Sequence, residues 1–144
     1  MPARKIALLC SLMVASPAFA QADIALQIGG QKYAASGQGE CKSAPRASIY
    51  GVPAALYSVS HRSGKDSLSL TLWRPAGGKP DMLSLSIASG GKRYLVDTVR
   101  EKKGSGGAKL DGRTFVVDAT AQSGEKISGK IQCRAFGGVQ AEGG

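Results

Sequence analysis

The chain has 144 residues, a formal net charge of +9, 42% hydrophobic residues and 20 glycines. This length corresponds to one domain with a core of its own, and no segment keeps the helical period that an α-helical fold requires. Three cysteines and one histidine are too few for the four-ligand sets of structural zinc sites once the amino-terminal cysteine is removed.

Residues 1–20 have the three parts of a secretion signal. Arg4 and Lys5 precede an apolar run over Ile6–Val14, and Ala18–Ala20 has the small-x-small pattern at which signal peptidase cleaves. The run is too short for a membrane anchor, which needs about 20 apolar residues. We therefore predict cleavage after Ala20, no transmembrane segment in the mature chain, and a periplasmic or secreted location.

Cys10 offers the alternative of a lipoprotein signal, but Leu9 stands where that signal needs a small residue. Cleavage after residue 20 leaves 17 basic and 10 acidic residues, a net charge of +7, and two cysteines. In an oxidising compartment Cys41 and Cys133 are expected to form a disulfide. Closing so long a loop would stabilise the fold by about 4–5 kcal/mol at most. Metal binding is the weaker alternative, because His61 is the only histidine.

The first predicted elements form a hairpin, in which Ile24–Ile28 and Gln31–Ala35 flank a Gly-Gly turn. The return strand ends near Gly39–Lys42, and Pro53–Ser60 is a further strand that ends beside His61. Short segments of this kind, separated by Gly, Pro and Asp clusters, are typical of a β-sandwich or barrel.

The clearest pattern is a second hairpin. Ser67–Arg74 alternates strictly, with three leucines on one face, and Met82–Ile87 repeats the pattern after a Pro- and Gly-rich turn. The later segments are a strand over Lys92–Val99, a flexible loop over Arg100–Ala108, and strands over Gly112–Ala119 and Ile127–Cys133. Together they predict an all-β fold: an antiparallel β-sandwich of about eight strands over residues 21–136, closed by one disulfide and followed by a disordered tail at 137–144.

The layout has a family likeness. A hairpin runs into Cys41, glycine-rich strands follow, then the segment Gly104–Phe115, and Ile127–Cys133 ends the domain. In this it resembles the mycobacterial LpqH-like lipoprotein antigens. The resemblance implies an exported, envelope-associated β-sandwich without known enzymatic activity. The chain has no lipobox cysteine at the predicted cleavage site, so acylated anchoring is not implied.

No catalytic, metal or cofactor site is predicted. His61 could act as a general base, but no Gly-x-Ser-x-Gly elbow accompanies it, and a structural or solvent-exposed role is favoured. A glycosidase would need paired carboxylates, and the acidic residues stand in turns or on outward strand positions. These residues are Glu40, Asp66, Asp81, Asp97, Asp111 and Asp118. Gly104–Lys109 lacks the spacing of a phosphate-binding loop and is interpreted as a flexible connection between strands.

The excess of basic over acidic residues is the compositional feature that points to a function. The cluster that we predict to bind anions contains Arg93, Arg100, Lys102, Lys103 and Lys109. Trp73 lies on the polar face of its strand, where it could stack on a sugar or anchor a partner, although burial under a loop is favoured. Nucleic acid is not expected, because only Tyr94 accompanies the cluster.

We therefore expect an exported non-enzymatic protein of the cell envelope that binds anionic lipid or polysaccharide. The alternatives are a protein-binding module, such as an inhibitor or assembly factor, and an unrecognised envelope hydrolase. A lysozyme inhibitor is disfavoured, because a basic inhibitor and a basic enzyme would repel each other.

Overall fold

The computed structural model describes residues 21–138, so the predicted signal peptide and residues 139–144 lie outside the described part. Within residues 21–138 the regular elements are all strands, and no helix there is long and apolar enough to cross a membrane. The strands are β1 (Gln21–Ile28), β2 (Gln31–Ala44), β3 (Ser48–Ile49), β4 (Val52–Ser63), β5 (Asp66–Pro75), β6 (Met82–Ser89), β7 (Lys92–Asp97), β8 (Ser105–Asp111), β9 (Thr114–Thr120), β10 (Lys126–Cys133) and β11 (Gly137–Gly138).

The nine long strands form one sheet in the order β7-β6-β5-β4-β2-β1-β10-β9-β8, and each long strand runs antiparallel to its neighbours. The sheet is nearly closed into a barrel. Backbone hydrogen bonds between Asp97 and Lys103, and from Gln122 to Leu95, bring its two ends together. The all-β antiparallel fold with one disulfide is confirmed. The layout differs from two stacked sheets, because the twist of one long sheet brings its own edges together.

One face of every long strand lines a single core. On β5, Leu68, Leu70 and Leu72 are at most 2% exposed, and the residues between them point outward. The same alternation on the other strands places Phe115, Ile127 and further aliphatic side chains in the interior. Burial of one such side chain stabilises the fold by about 1.5–3 kcal/mol. The inside is therefore a filled core, and the outer face is the part of the sheet that a ligand could reach.

Both predicted hairpins are confirmed. β1 and β2 pair across the turn at Gly29 and Gly30, and β5 pairs with β6 in the register that alternation requires. In that second hairpin Leu70 lies opposite Leu85, so that the two buried faces coincide. Residues directly opposite each other project from the same face, which also fixes what the outer surface carries.

The prediction of a flexible loop over Arg100–Ala108 is wrong for the second half of that segment. Ser105–Asp111 is a strand, β8, that pairs along its whole length with β9. Gly104 and Gly106 have φ values of +70° and +81°, and a Cβ on either would overlap backbone atoms of the neighbouring segment. The glycines are what let this strand approach its neighbour closely, whereas in the sequence they are typical of a loop.

The disulfide joins strands that are not neighbours. Cys41 on β2 and Cys133 on β10 are bonded with their Cα atoms 6.1 Å apart, and β1 runs between the two strands. Both cysteines are buried, so the bridge lies on the inner side of the sheet. The predicted disordered tail begins at Gly137, but Gly137 and Gly138 pair in parallel with Lys42 and Ser43 of β2.

Candidate functional site

The outer face of β4, β5 and β6 carries an array of short hydroxyl side chains, which we call the serine platform. It consists of Ser58, Ser60, Ser67, Ser69, Thr71, Ser84 and Ser86. The register sets these residues in rows across the strands: Ser60, Ser69 and Ser86 form one row. Adjacent strands are about 4.8 Å apart, so hydroxyl groups recur at that spacing along a row. Each hydroxyl both donates and accepts hydrogen bonds, and the platform is therefore an even, uncharged hydrogen-bonding surface.

A cleft of about 460 Å³, the serine cleft, runs over one half of this platform. Its lining includes Ser69 and Ser86 together with Glu40, Arg62 and His61. Arg62 is exposed, whereas Glu40 forms an ion pair with Lys42. Glu40 stays partly exposed in that pair, so the cleft presents charge of both signs.

A second cleft of about 570 Å³, the tryptophan cleft, lies over the other half. Trp73 and Tyr50 line it together with Ser84, Asp97 and Arg100. Trp73 is half-buried and Tyr50 is 67% exposed, so aromatic ring surface faces the solvent here. Ser84 of this cleft and Ser86 of the serine cleft alternate on β6, so the two clefts follow each other along one face.

Tyr50 occupies an unusual backbone conformation. It is the first residue of the two-residue turn between β3 and β4, and its φ is +50°. Bulky residues rarely adopt a positive φ, and Asn, Asp or Gly normally occupies this position of such a turn. The conformation directs an exposed phenol ring to the edge of the tryptophan cleft at a cost in backbone energy of about 1–3 kcal/mol.

The loop from Thr98 to Gly104 is organised around Asp97. Its Oδ1 accepts hydrogen bonds from the backbone amides of Val99 and Arg100, at 2.8 and 3.1 Å. Partial burial alone would raise the pKa of Asp97, but the backbone hydrogen bonds and the charge of Arg100 outweigh it and hold the pKa below its ordinary value. The carboxylate is thus charged at neutral pH and fixes the loop that presents Arg100.

The structure divides the predicted anion-binding cluster among three places. Arg100 and Lys102 are exposed on the loop beside the tryptophan cleft, and Lys103 is half-buried in an ion pair with Glu101 at 2.6 Å. Arg93 is exposed on β7 beside a shallow cleft of about 330 Å³. Lys109 lies on β8, in a different cleft of about 500 Å³.

His61 has a structural contact. Its ring is only 7% exposed, and its Nδ1 lies 2.7 Å from the hydroxyl oxygen of Tyr33. Within residues 21–138, its Nε2 is a buried nitrogen without a hydrogen-bond partner. Burial, together with the charge of Asp66, raises the pKa of the Tyr33 hydroxyl, which therefore stays protonated at neutral pH. The pair fills the opening where the ladder between β2 and β4 ends at Glu40 and Ser60.

The carboxylates considered for acid-base chemistry are dispersed, with one exception. Asp81 and Asp118 line the same cleft as Lys109, but Asp81 is 3.5 Å from the guanidinium of Arg74 in an ion pair. Asp118 points outward from β9, as the alternation predicts. Among the described residues no three His, Cys, Asp or Glu side chains gather as they would around a metal ion.

Sequence reasoning did not identify the serine platform, the exposed Tyr50 or the contact of Tyr33 with His61. The alternation of Ser67, Ser69 and Thr71 was visible as a polar strand face, but its continuation across three strands depends on their register. The Tyr50-Gly51 pair before a β-branched residue was the one local signal of a tight turn.

Comparison of the chain with protein families, with curated proteins and with solved structures gives no match. The resemblance to LpqH-like antigens accordingly stays a prediction. The residues that line the clefts are therefore the basis for proposing a function.

Proposed function

We propose that this protein is an exported, non-enzymatic protein of the cell envelope that binds an anionic envelope component on its outer surface. The observation that carries the proposal is the loop beside the tryptophan cleft. In this loop Arg100 and Lys102 are exposed on either side of Glu101, and Glu101 forms an ion pair with Lys103. A fixed, positively charged loop next to exposed aromatic rings is suited to an anionic ligand.

The overall charge supports the same proposal. Residues 21–138 contain 17 basic and 9 acidic side chains. Among these residues, ion pairs engage only four of the basic side chains, namely Lys42, Arg74, Lys103 and Arg134. Unpaired surface cations raise the local concentration of anions and speed their association.

The test is retention of the purified mature protein on two immobilised polyanions, phosphatidylglycerol vesicles and polygalacturonate, at low salt. We expect Arg100→Gln/Lys102→Gln to weaken retention about tenfold on the polyanion that the protein binds, because two adjacent charges are removed from the contact. The matched control is Lys79→Gln/Lys126→Gln, which removes the same charge from exposed positions in the turn between β5 and β6 and at the start of β10.

Equal loss in both double variants would mean that retention follows net charge and not a site, and it would contradict the proposal. Absence of retention on both polyanions in the wild-type protein would also overturn it. Circular dichroism of each variant checks that the strand content is unchanged.

A further inference from the structure

We infer that the serine platform and the tryptophan cleft form one elongated binding face for an acidic polysaccharide. This inference rests on the proposed function and names its ligand class. The serine cleft and the tryptophan cleft lie in succession over one sheet face, with Ser86 in the first and Ser84 in the second. Two clefts in succession along one sheet face fit a linear polymer better than a compact anion.

The chemistry of the face matches a sugar chain. Its centre carries hydroxyl groups from three strands, because Ser60, Ser69 and Ser86 lie side by side. Glu40, opposite Ser60 on β2, is the charged residue that ends this row. Hydroxyls that donate and accept in turn are suited to the hydroxyl groups of a saccharide. Short serine side chains also leave the face low enough for a flat ring to approach the sheet.

The aromatic residues stand at one end of this face. Trp73 lies in the row next to Thr71 on the outer side of β5, and Tyr50 projects from the adjoining turn. Aromatic faces offer apolar contact with one polar handle, which is the surface that the C–H groups of a sugar ring require. The platform therefore has hydrogen-bonding groups in its middle and stacking groups at its end.

The periphery supplies positive charge. Arg62 and Arg93 lie in one row at one end of the platform, and Arg100 lies at the other end. Each acidic residue that lines the two clefts has a contact of its own: Glu40 pairs with Lys42, Glu101 pairs with Lys103, and Asp97 accepts hydrogen bonds from backbone amides. An uncharged centre bordered by guanidinium groups complements a chain that carries carboxylates along its length.

The experiment uses the mature, oxidised protein and polygalacturonate as the probe. Trp73 is the only tryptophan of the chain, so its fluorescence reports on this face alone. We expect polygalacturonate to change the emission of Trp73 in a saturable way, and uncharged dextran to bind about tenfold more weakly or less. Titration of the wild-type protein thus tests the preference for an acidic over an uncharged polysaccharide without any variant.

The variants locate the contact. Ser69→Glu places a carboxylate in the centre of the platform, and Ser128→Glu places one at a position on β10 that is also exposed but lies outside the platform. We expect the first to weaken polygalacturonate binding about tenfold, because like charges then face each other, and the second to leave it within about twofold. Ser86→Glu serves as a second platform variant if Ser69→Glu does not fold.

Three results would overturn the inference while leaving the proposed function intact. These are polygalacturonate binding without a response of Trp73, equal loss in Ser69→Glu and Ser128→Glu, and a Trp73 response to phosphatidylglycerol vesicles but not to polygalacturonate. Failure of both polyanions to bind would overturn the proposed function as well.

Discussion

Among residues 21–138, Tyr33 and His61 form the one buried pair of hydrogen-bonded side chains. Tyr33→Phe removes the partner of Nδ1 and leaves both ring nitrogens of His61 unsatisfied, so we expect a loss of about 1–3 kcal/mol in the free energy of unfolding. Replacing both residues, as Tyr33→Phe/His61→Leu, should recover most of that loss, because two apolar groups leave no orphaned polar atom. Urea denaturation at pH 7 measures both variants.

The pH dependence provides the control for this pair. Because the folded-state pKa of Tyr33 is raised above its usual value of 10.0, the unfolded chain ionises first as the pH increases. The contribution of Tyr33 to stability is thus fully present below pH 10 and is lost as the pH rises through the folded pKa. The difference in the free energy of unfolding between the wild-type protein and Tyr33→Phe should therefore become smaller in alkaline buffer. A double variant no more stable than Tyr33→Phe would contradict the assignment of His61 to a structural role.

Strand β8 shows that a β-strand can require glycine at a particular position. Gly106 has a φ of +81° and a Cβ there would overlap the carbonyl oxygen of Asp118, whereas a Cβ on Gly107 meets nothing within 4 Å. We expect Gly106→Ala to cost about 1–3 kcal/mol and Gly107→Ala to change stability by about 0.5 kcal/mol or less. Urea denaturation of the two neighbouring variants is the measurement. Equal stabilities would mean that β8 does not pack on β9 in this register.

The same strand explains how far the fold was predictable from the sequence. The β5–β6 hairpin was predicted correctly because strict alternation of Leu and Ser indicates both that the segment is a strand and which of its faces is buried. β8 contains only two buried side chains, Ala108 and Leu110, among its glycines, so its alternation is too short to recognise. Its pairing depends on close approach to β9, a tertiary contact that a local pattern does not contain.

The candidate site belongs to the whole molecule, which is why the sequence predicted only part of it. Arg100 and Trp73 were identified singly, but they are 27 positions apart in the chain and meet only because β5, β6 and β7 are adjacent. The predicted basic cluster treated Lys109 and Arg93 as one group with the loop, but each of the two lines a separate cleft. Charge in the sequence thus indicates the sign of a partner, whereas the location of its site depends on strand order and register.

The disulfide acts on the whole barrel, because it spans β1 and ties β2 to β10. The two cysteines are 92 positions apart, and freeing them enlarges the conformational entropy of the unfolded chain. We expect Cys41→Ala/Cys133→Ala to lower the free energy of unfolding by about 2–5 kcal/mol, as measured by urea denaturation against the oxidised wild-type protein. Reduced wild-type protein should show a similar loss, since it lacks the same cross-link. If reduction leaves the unfolding midpoint unchanged, the hydrogen-bonded ladders of β1 with β2 and β10 hold the closed sheet by themselves. The covalent bridge would then be dispensable for the fold, and the stabilising role assigned to it would be wrong.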